Sequence, residues 1–130
     1  MKLASIFTAL IFSFIMLVSC KKAKETTATI TVLDTNGLPV GGASVTLRGQ
    51  SSADSKKNAD PALSKNSITP ANGIISFNYT EIYKAGQAGV AVIDIYSYKL
   101  SGSDTLDCKT YIKLEPETDN TQTVVLKPKS

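Results

Sequence analysis

The chain has 130 residues and a mass of 13.8 kDa, with 14 Lys and Arg against 11 Asp and Glu, 42% hydrophobic residues, two cysteines, and neither histidine nor tryptophan. That length fits one domain, and the near balance of charge gives no electrostatic case for nucleic acid as a partner. Without histidine there is no Ser-His-Asp or Cys-His nucleophile, no imidazole base and no His-ligated zinc or iron, so no metal or other cofactor is expected.

The chain opens with a single charge at Lys2, runs uncharged from Leu3 to Ser19, and closes on Leu17-Val18-Ser19-Cys20 before Lys21, Lys22 and Lys24. An apolar run of this length behind a basic start reads as an export signal. "LVSC" resembles the lipobox of bacterial lipoprotein signal peptides, with a branched residue three positions before the cysteine and a small one directly before it. The resemblance implies cleavage before Cys20, a diacylglyceryl thioether on its sulfur, and acylation of the new amine by a chain such as palmitate. At about 0.8 kcal/mol per buried methylene, two or three such chains anchor a protein where one is marginal. An uncleaved membrane-spanning helix is the competing reading, disfavoured because one lysine precedes the run and three follow it. Lys21 is not the aspartate that retains lipoproteins in the inner membrane of bacteria that sort them, so the resemblance implies the outer membrane, with the periplasmic or surface face open. Residues 21–26 form a tether, and at roughly 3.3 Å each they reach only about 20 Å.

With Cys20 consumed by lipid, Cys108 has no partner, and no intramolecular disulfide is expected. It alternates with Leu106, Thr110, Ile112 and Leu114, which makes it a small buried hydrophobe.

The domain spans residues 27–128. Ala28, Ile30 and Val32 alternate with Thr27, Thr29 and Thr31, the pattern of a half-buried strand. Asp34-Thr35-Asn36-Gly37 is a turn, and a second strand follows with Ala43, Val45 and Leu47 inward and Ser44, Thr46 and Arg48 outward. The segment "ITVLDTNGLPVGGASVTL" resembles the opening of the carboxypeptidase regulatory-like domain, on Val32, Asp34, Gly37, Pro39, Val40, Gly42, Ala43, Val45 and Leu47; Thr69, Gly73 and Phe77 match a later segment of the same family. The resemblance implies an Ig-like or transthyretin-like (prealbumin-like) antiparallel β-sandwich of about seven strands.

Residues 50–66 are polar and read as a long loop, with Asp60-Pro61-Ala62-Leu63 able to start one helical turn. Ile75, Phe77 and Tyr79 share a strand face, and Glu81 to Gly89 is an irregular corner carrying Ile82 and Tyr83 onto the core. Val90 to Leu100 and Leu106 to Glu115 form a long hairpin about Ser101-Gly102-Ser103-Asp104. Thr121 to Lys127 is the last strand, with Val124 and Leu126 inward. Strands without a helix of normal length make an all-β sandwich.

Placing Ala91, Ile93 and Ile95 on the core puts Asp94, Tyr96 and Tyr98 outside, beside Asp107, Lys109, Tyr111 and Lys113 of the paired strand. Tyrosines flanked by charges make a candidate binding face, because Tyr offers a stiff apolar body with a polar tip. Asp104-Thr105-Leu106 matches a short bacterial O-glycosylation pattern, which makes Thr105 a candidate acceptor. Two enzyme groups share the architecture: transthyretin-like hydrolases use histidines, and sandwich dioxygenases hold iron with Tyr and His. On that ground no enzyme activity is expected. The expected function is a non-catalytic binding or structural module of the cell envelope contacting an envelope protein, with a surface glycan-binding or adhesive module, and so a polysaccharide partner, as the alternative.

Overall fold

Period-two alternation fixes which side of each strand meets the core, and hydrogen bonding fixes the order of the strands. The computed structural model describes residues 24–49, 60–84 and 91–129. The elements are β1 (Thr27–Leu33), β2 (Ser44–Gly49), β3 (Asp60–Ile68), β4 (Ile74–Asn78), the short helix α1 (Thr80–Lys84), β5 (Ala91–Ser101), β6 (Asp104–Leu114), β7 (Asp119–Val125) and the two-residue β8 (Lys127–Pro128). They make a three-stranded sheet in the order β4-β1-β7 and a five-stranded sheet in the order β3-β2-β5-β6-β8. An all-β sandwich results. Residues 1–23, where the export signal, Cys20 and part of the tether are expected, and residues 50–59 of the 50–66 segment lie outside the described residues.

The core is the space between the two sheets. Ala28, Ile30 and Val32 of β1 are fully buried, as are Val45 and Leu47 of β2, Ile93 of β5 and Leu114 of β6. Each Val, Leu or Ile withdrawn from water in this way stabilises the fold by about 1.5–3 kcal/mol. Val124 and Leu126 also point inward, although β7 stops at Val125 and Leu126 bridges to β8. Ile82 of α1 packs against the core from its margin.

Two expectations about the architecture are corrected. The pairing is not wholly antiparallel: β1 runs antiparallel to β4 but parallel to β7, with Thr27 opposite Asp119 and Leu33 opposite Val125. After β6 the chain crosses to the other sheet at Glu115 to Thr118, so β7 lies beside β1 in the same direction. The second correction concerns residues 60–66, expected as loop or helical turn, which belong to the edge strand β3. An edge strand needs only one paired side and little apolar surface, and it tolerates a proline such as Pro61. The register with β2 runs from Ile68 opposite Ser44 to Lys65 opposite Leu47, then slips at a bulge so that Gly49 meets Asp60. Leu63 is buried against Gly49.

Three buried polar contacts pin the layers together. The Tyr79 hydroxyl, just after β4, donates to the Leu63 carbonyl of β3 at 3.0 Å and so ties one sheet to the other. Burial raises the Tyr79 pKa well above its ordinary 10.0. Thr69 accepts from the Ala43 N–H at 3.0 Å and donates to the Val40 carbonyl at 2.7 Å. Asn120 binds across the β6 to β7 corner, accepting from Glu115 N–H and donating to the Glu115 and Thr27 carbonyls. Gly73 is buried with φ +70°, and a Cβ there would lie 2.6 Å from the Val32 carbonyl oxygen, so only glycine fits.

Candidate functional site

Arg48, Asp94, Tyr96, Lys109 and Tyr111 converge because three adjacent strands turn the same parity outward. The rows follow from the register: Thr46 of β2 is opposite Tyr96 of β5, which is opposite Lys109 of β6; Arg48 is opposite Asp94, which is opposite Tyr111. These two rows line an open cleft of about 390 Å³ on the outer face of the five-stranded sheet, within the size range of small-molecule sites.

Within it, the Lys109 ammonium stands 5.6 Å from the centre of the Tyr96 ring, within range of a cation–π contact. Tyr96 in turn stacks on Tyr98, with ring centres 5.7 Å apart and planes at 27°. Tyr111 leaves 55% of its surface open to water. Arg48 and Lys109 stand on either side of β5, and with Asp94 as the acidic member the cleft carries a net positive charge.

Of the residues singled out from the sequence, Asp94, Tyr96, Lys109 and Tyr111 line the cleft. Tyr98 and Lys113 share the same outer face but lie one row beyond it at opposite ends, Tyr98 across from Asp107 and Lys113 across from Val92. Arg48 and Thr46 complete the lining. Their outward direction is readable from alternation, but that β2 lies next to β5 is not. Thr105 is half-buried at the start of β6, and its carbonyl accepts from Lys129 N–H at 2.9 Å. Cys108 faces inward opposite Ser97 and packs against the core, half-buried rather than fully so. Among the described residues, no three His, Cys, Asp or Glu side chains come together as a metal-binding group.

No family model and no curated protein matches the chain. Similar solved structures include catechol 1,2-dioxygenase from Acinetobacter sp. ADP1 inhibited by bound mercury, 12% identical with a TM-score of 0.49 over 85% of this chain and 55% of that one. Another is 3-chlorocatechol 1,2-dioxygenase from Rhodococcus opacus 1CP, 10% identical with a TM-score of 0.46 over 83% of this chain and 61% of that one. A 9R-lipoxygenase from Cyanothece PCC8801 is 13% identical, with a TM-score of 0.41 over 82% of this chain and 17% of its own. This chain therefore spans about half the length of the dioxygenases it matches.

These matches correct two expectations. The expectation of a non-catalytic binding or structural module, and with it the exclusion of enzyme activity, is not kept, because the solved proteins similar to this chain are enzymes. Lack of histidine removes particular chemistries and not catalysis as such. At these identities and TM-scores the likeness transfers no reaction, metal or substrate to this chain.

Proposed function

We propose that the chain is a lipid-anchored domain of a bacterial cell envelope, held in the outer membrane through Cys20, and that its outer-face cleft takes a small anionic molecule with a planar ring. The anchor rests on the Leu17-Val18-Ser19-Cys20 pattern and the basic residues after it. A carboxypeptidase regulatory-like, transthyretin-type fold is the finer reading of the sandwich. It is supported by the structural use of its signature residues: Asp34 caps its own turn by accepting from Asn36 and Leu38 N–H, Thr69 bonds β2's approach, and Gly73 takes the left-handed conformation.

The ligand class rests on one observation. Two cations from different strands, Arg48 and Lys109, flank two outward tyrosine rings, Tyr96 and Tyr111, in one cleft. A guanidinium offers paired donors to a carboxylate or phosphate, and a tyrosine face offers a flat apolar surface to a ring. Titration of the full chain in detergent with benzoate and 4-hydroxybenzoate, followed by amide shifts, tests this. Saturable shifts at Asp94, Tyr96 and Tyr111 are expected with the acids and much weaker ones with benzamide. No shift with any acid, or equal shifts with the neutral amide, would overturn the assignment. Mass analysis of the bound acids after incubation reads any turnover. The anchor is tested separately: incorporation of radiolabelled palmitate is expected in the natural chain and lost in Cys20→Ser.

A further inference from the structure

Among the described residues, the edge of β6 turned away from β5 has a defined unpaired window. A strand directs its backbone N–H and C=O alternately to its two sides. Two observations fix which residues of β6 turn away from β5. Thr105 carbonyl accepts from Lys129 N–H, and at the other end Glu115 N–H and C=O are both bonded by the Asn120 side chain. Asp107, Lys109, Tyr111 and Lys113 share that parity, and β8 covers Asp107 through its pairing with Lys127. Lys109, Tyr111 and Lys113 are left. Among the described residues no strand pairs with them on that side.

Such an edge is a template for an added strand. A second copy of β6 is a poor occupant. In the antiparallel register that fits the window, Tyr111 meets its own copy and Lys109 meets Lys113 twice, placing like charges directly opposite. The register on one side drives Lys113 into β8 at Asp107, and the register on the other drives Lys109 onto the Asn120 side chain that caps Glu115.

We infer that the Lys109 to Lys113 edge of β6 accepts an extended acidic segment of a partner protein, with acids two residues either side of an aromatic or apolar residue. In that register the acids lie opposite Lys109 and Lys113 and the central side chain lies opposite Tyr111. The two intervening side chains fall opposite Thr110 and Ile112 and are small or apolar. This holds whether or not the neighbouring cleft takes a ring.

The test is amide hydrogen exchange on the full chain in detergent, with the peptide acetyl-SGEVYVEGS-amide and its lysine counterpart acetyl-SGKVYVKGS-amide as probes. In the free protein the Lys109, Tyr111 and Lys113 amides should exchange fast. The acidic peptide should slow all three at least tenfold and the lysine peptide should not. Lys113→Glu, an exposed change outside the cleft, should weaken the acidic peptide about fivefold and strengthen the lysine peptide. Three results would overturn the inference: amides already protected in the free protein, through a second copy or the chain's own remaining residues; no slowing by the acidic peptide at millimolar concentration; or equal slowing by both peptides.

Discussion

The two outer faces of the sandwich are built from different materials. On the three-stranded sheet the outward residues are mostly short and polar: Thr27, Thr29 and Thr31 of β1 lie between Asn78, Ser76 and the exposed Ile74 of β4 and Asp119, Thr121 and Thr123 of β7. At one end of this face the side chains engage one another, for Thr27 and Thr29 both donate to the Asp119 carboxylate at 2.6 and 2.9 Å, and Thr29 also bonds Ser76. The five-stranded sheet presents Arg48, Tyr96, Tyr98, Lys109, Tyr111 and Lys113, long side chains with rings and charges that reach into solvent. The first face spends much of its polarity on itself. The second presents polar ends and flat rings to solvent, which is where the proposed cleft lies.

The largest effect should come from the frame that both faces share. Gly73→Ala forces a Cβ onto the Val32 carbonyl in a left-handed backbone, and should cost about 3 kcal/mol of stability in urea unfolding. If it costs under 1 kcal/mol, the tight approach of the turn before β4 to the end of β1 is not a constraint on the fold.

Next comes the tie between the layers. Tyr79→Phe removes the donor to Leu63 and leaves that buried carbonyl unpaired, a loss of about 1–3 kcal/mol. Because burial raises the Tyr79 pKa above its ordinary 10.0, the fold is favoured while the phenol stays protonated, and stability should fall as pH rises above 10. Tyr79→Phe should flatten that alkaline slope; an unchanged slope would assign it to other groups.

The comparison itself is sharpened by Arg48→Ala combined with Lys109→Ala. Binding of benzoate should drop at least tenfold while the urea midpoint stays within experimental error, since exposed charges contribute little to stability. Thr29→Ala on the opposite face should do the reverse, leaving binding alone and lowering stability slightly.

The smallest effect belongs to Asp119. Hydrogen bonds from Thr27 and Thr29 lower its pKa, so the carboxylate favours the fold above its ordinary pKa of 3.8 and this contribution is lost as pH falls through the lowered value. Asp119→Asn should reduce the slope of stability against pH in that acid range, measured by urea midpoints.

Much of this was legible in the chain. The inward sets of β1 and β2 follow from alternation alone; β5 is apolar on both faces, and its inward set followed only from assigning Ile93 and Ile95 to the core. The β5 to β6 register follows because a two-residue turn at Gly102 and Ser103 leaves no freedom to slip. β3 was not legible: its polar residues satisfy backbone hydrogen bonds at an edge, and a single buried Leu63 gives no periodic signal. Arg48 was missed as a cleft residue for a related reason, since alternation gives the face of a strand but not its neighbour. The parallel pairing of β7 depends on a crossing between sheets, to which side-chain pattern is blind.

The chain enters the sandwich through β1, and β1 is the middle strand of its sheet, held by β4 on one side and β7 on the other. A pull on the N-terminus therefore acts on two ladders at once, whereas an entry strand at a sheet edge would be held by one. Thr27 at the point of entry is also clasped to Asp119. A domain held in this way from its first strand resists traction applied at its N-terminal end.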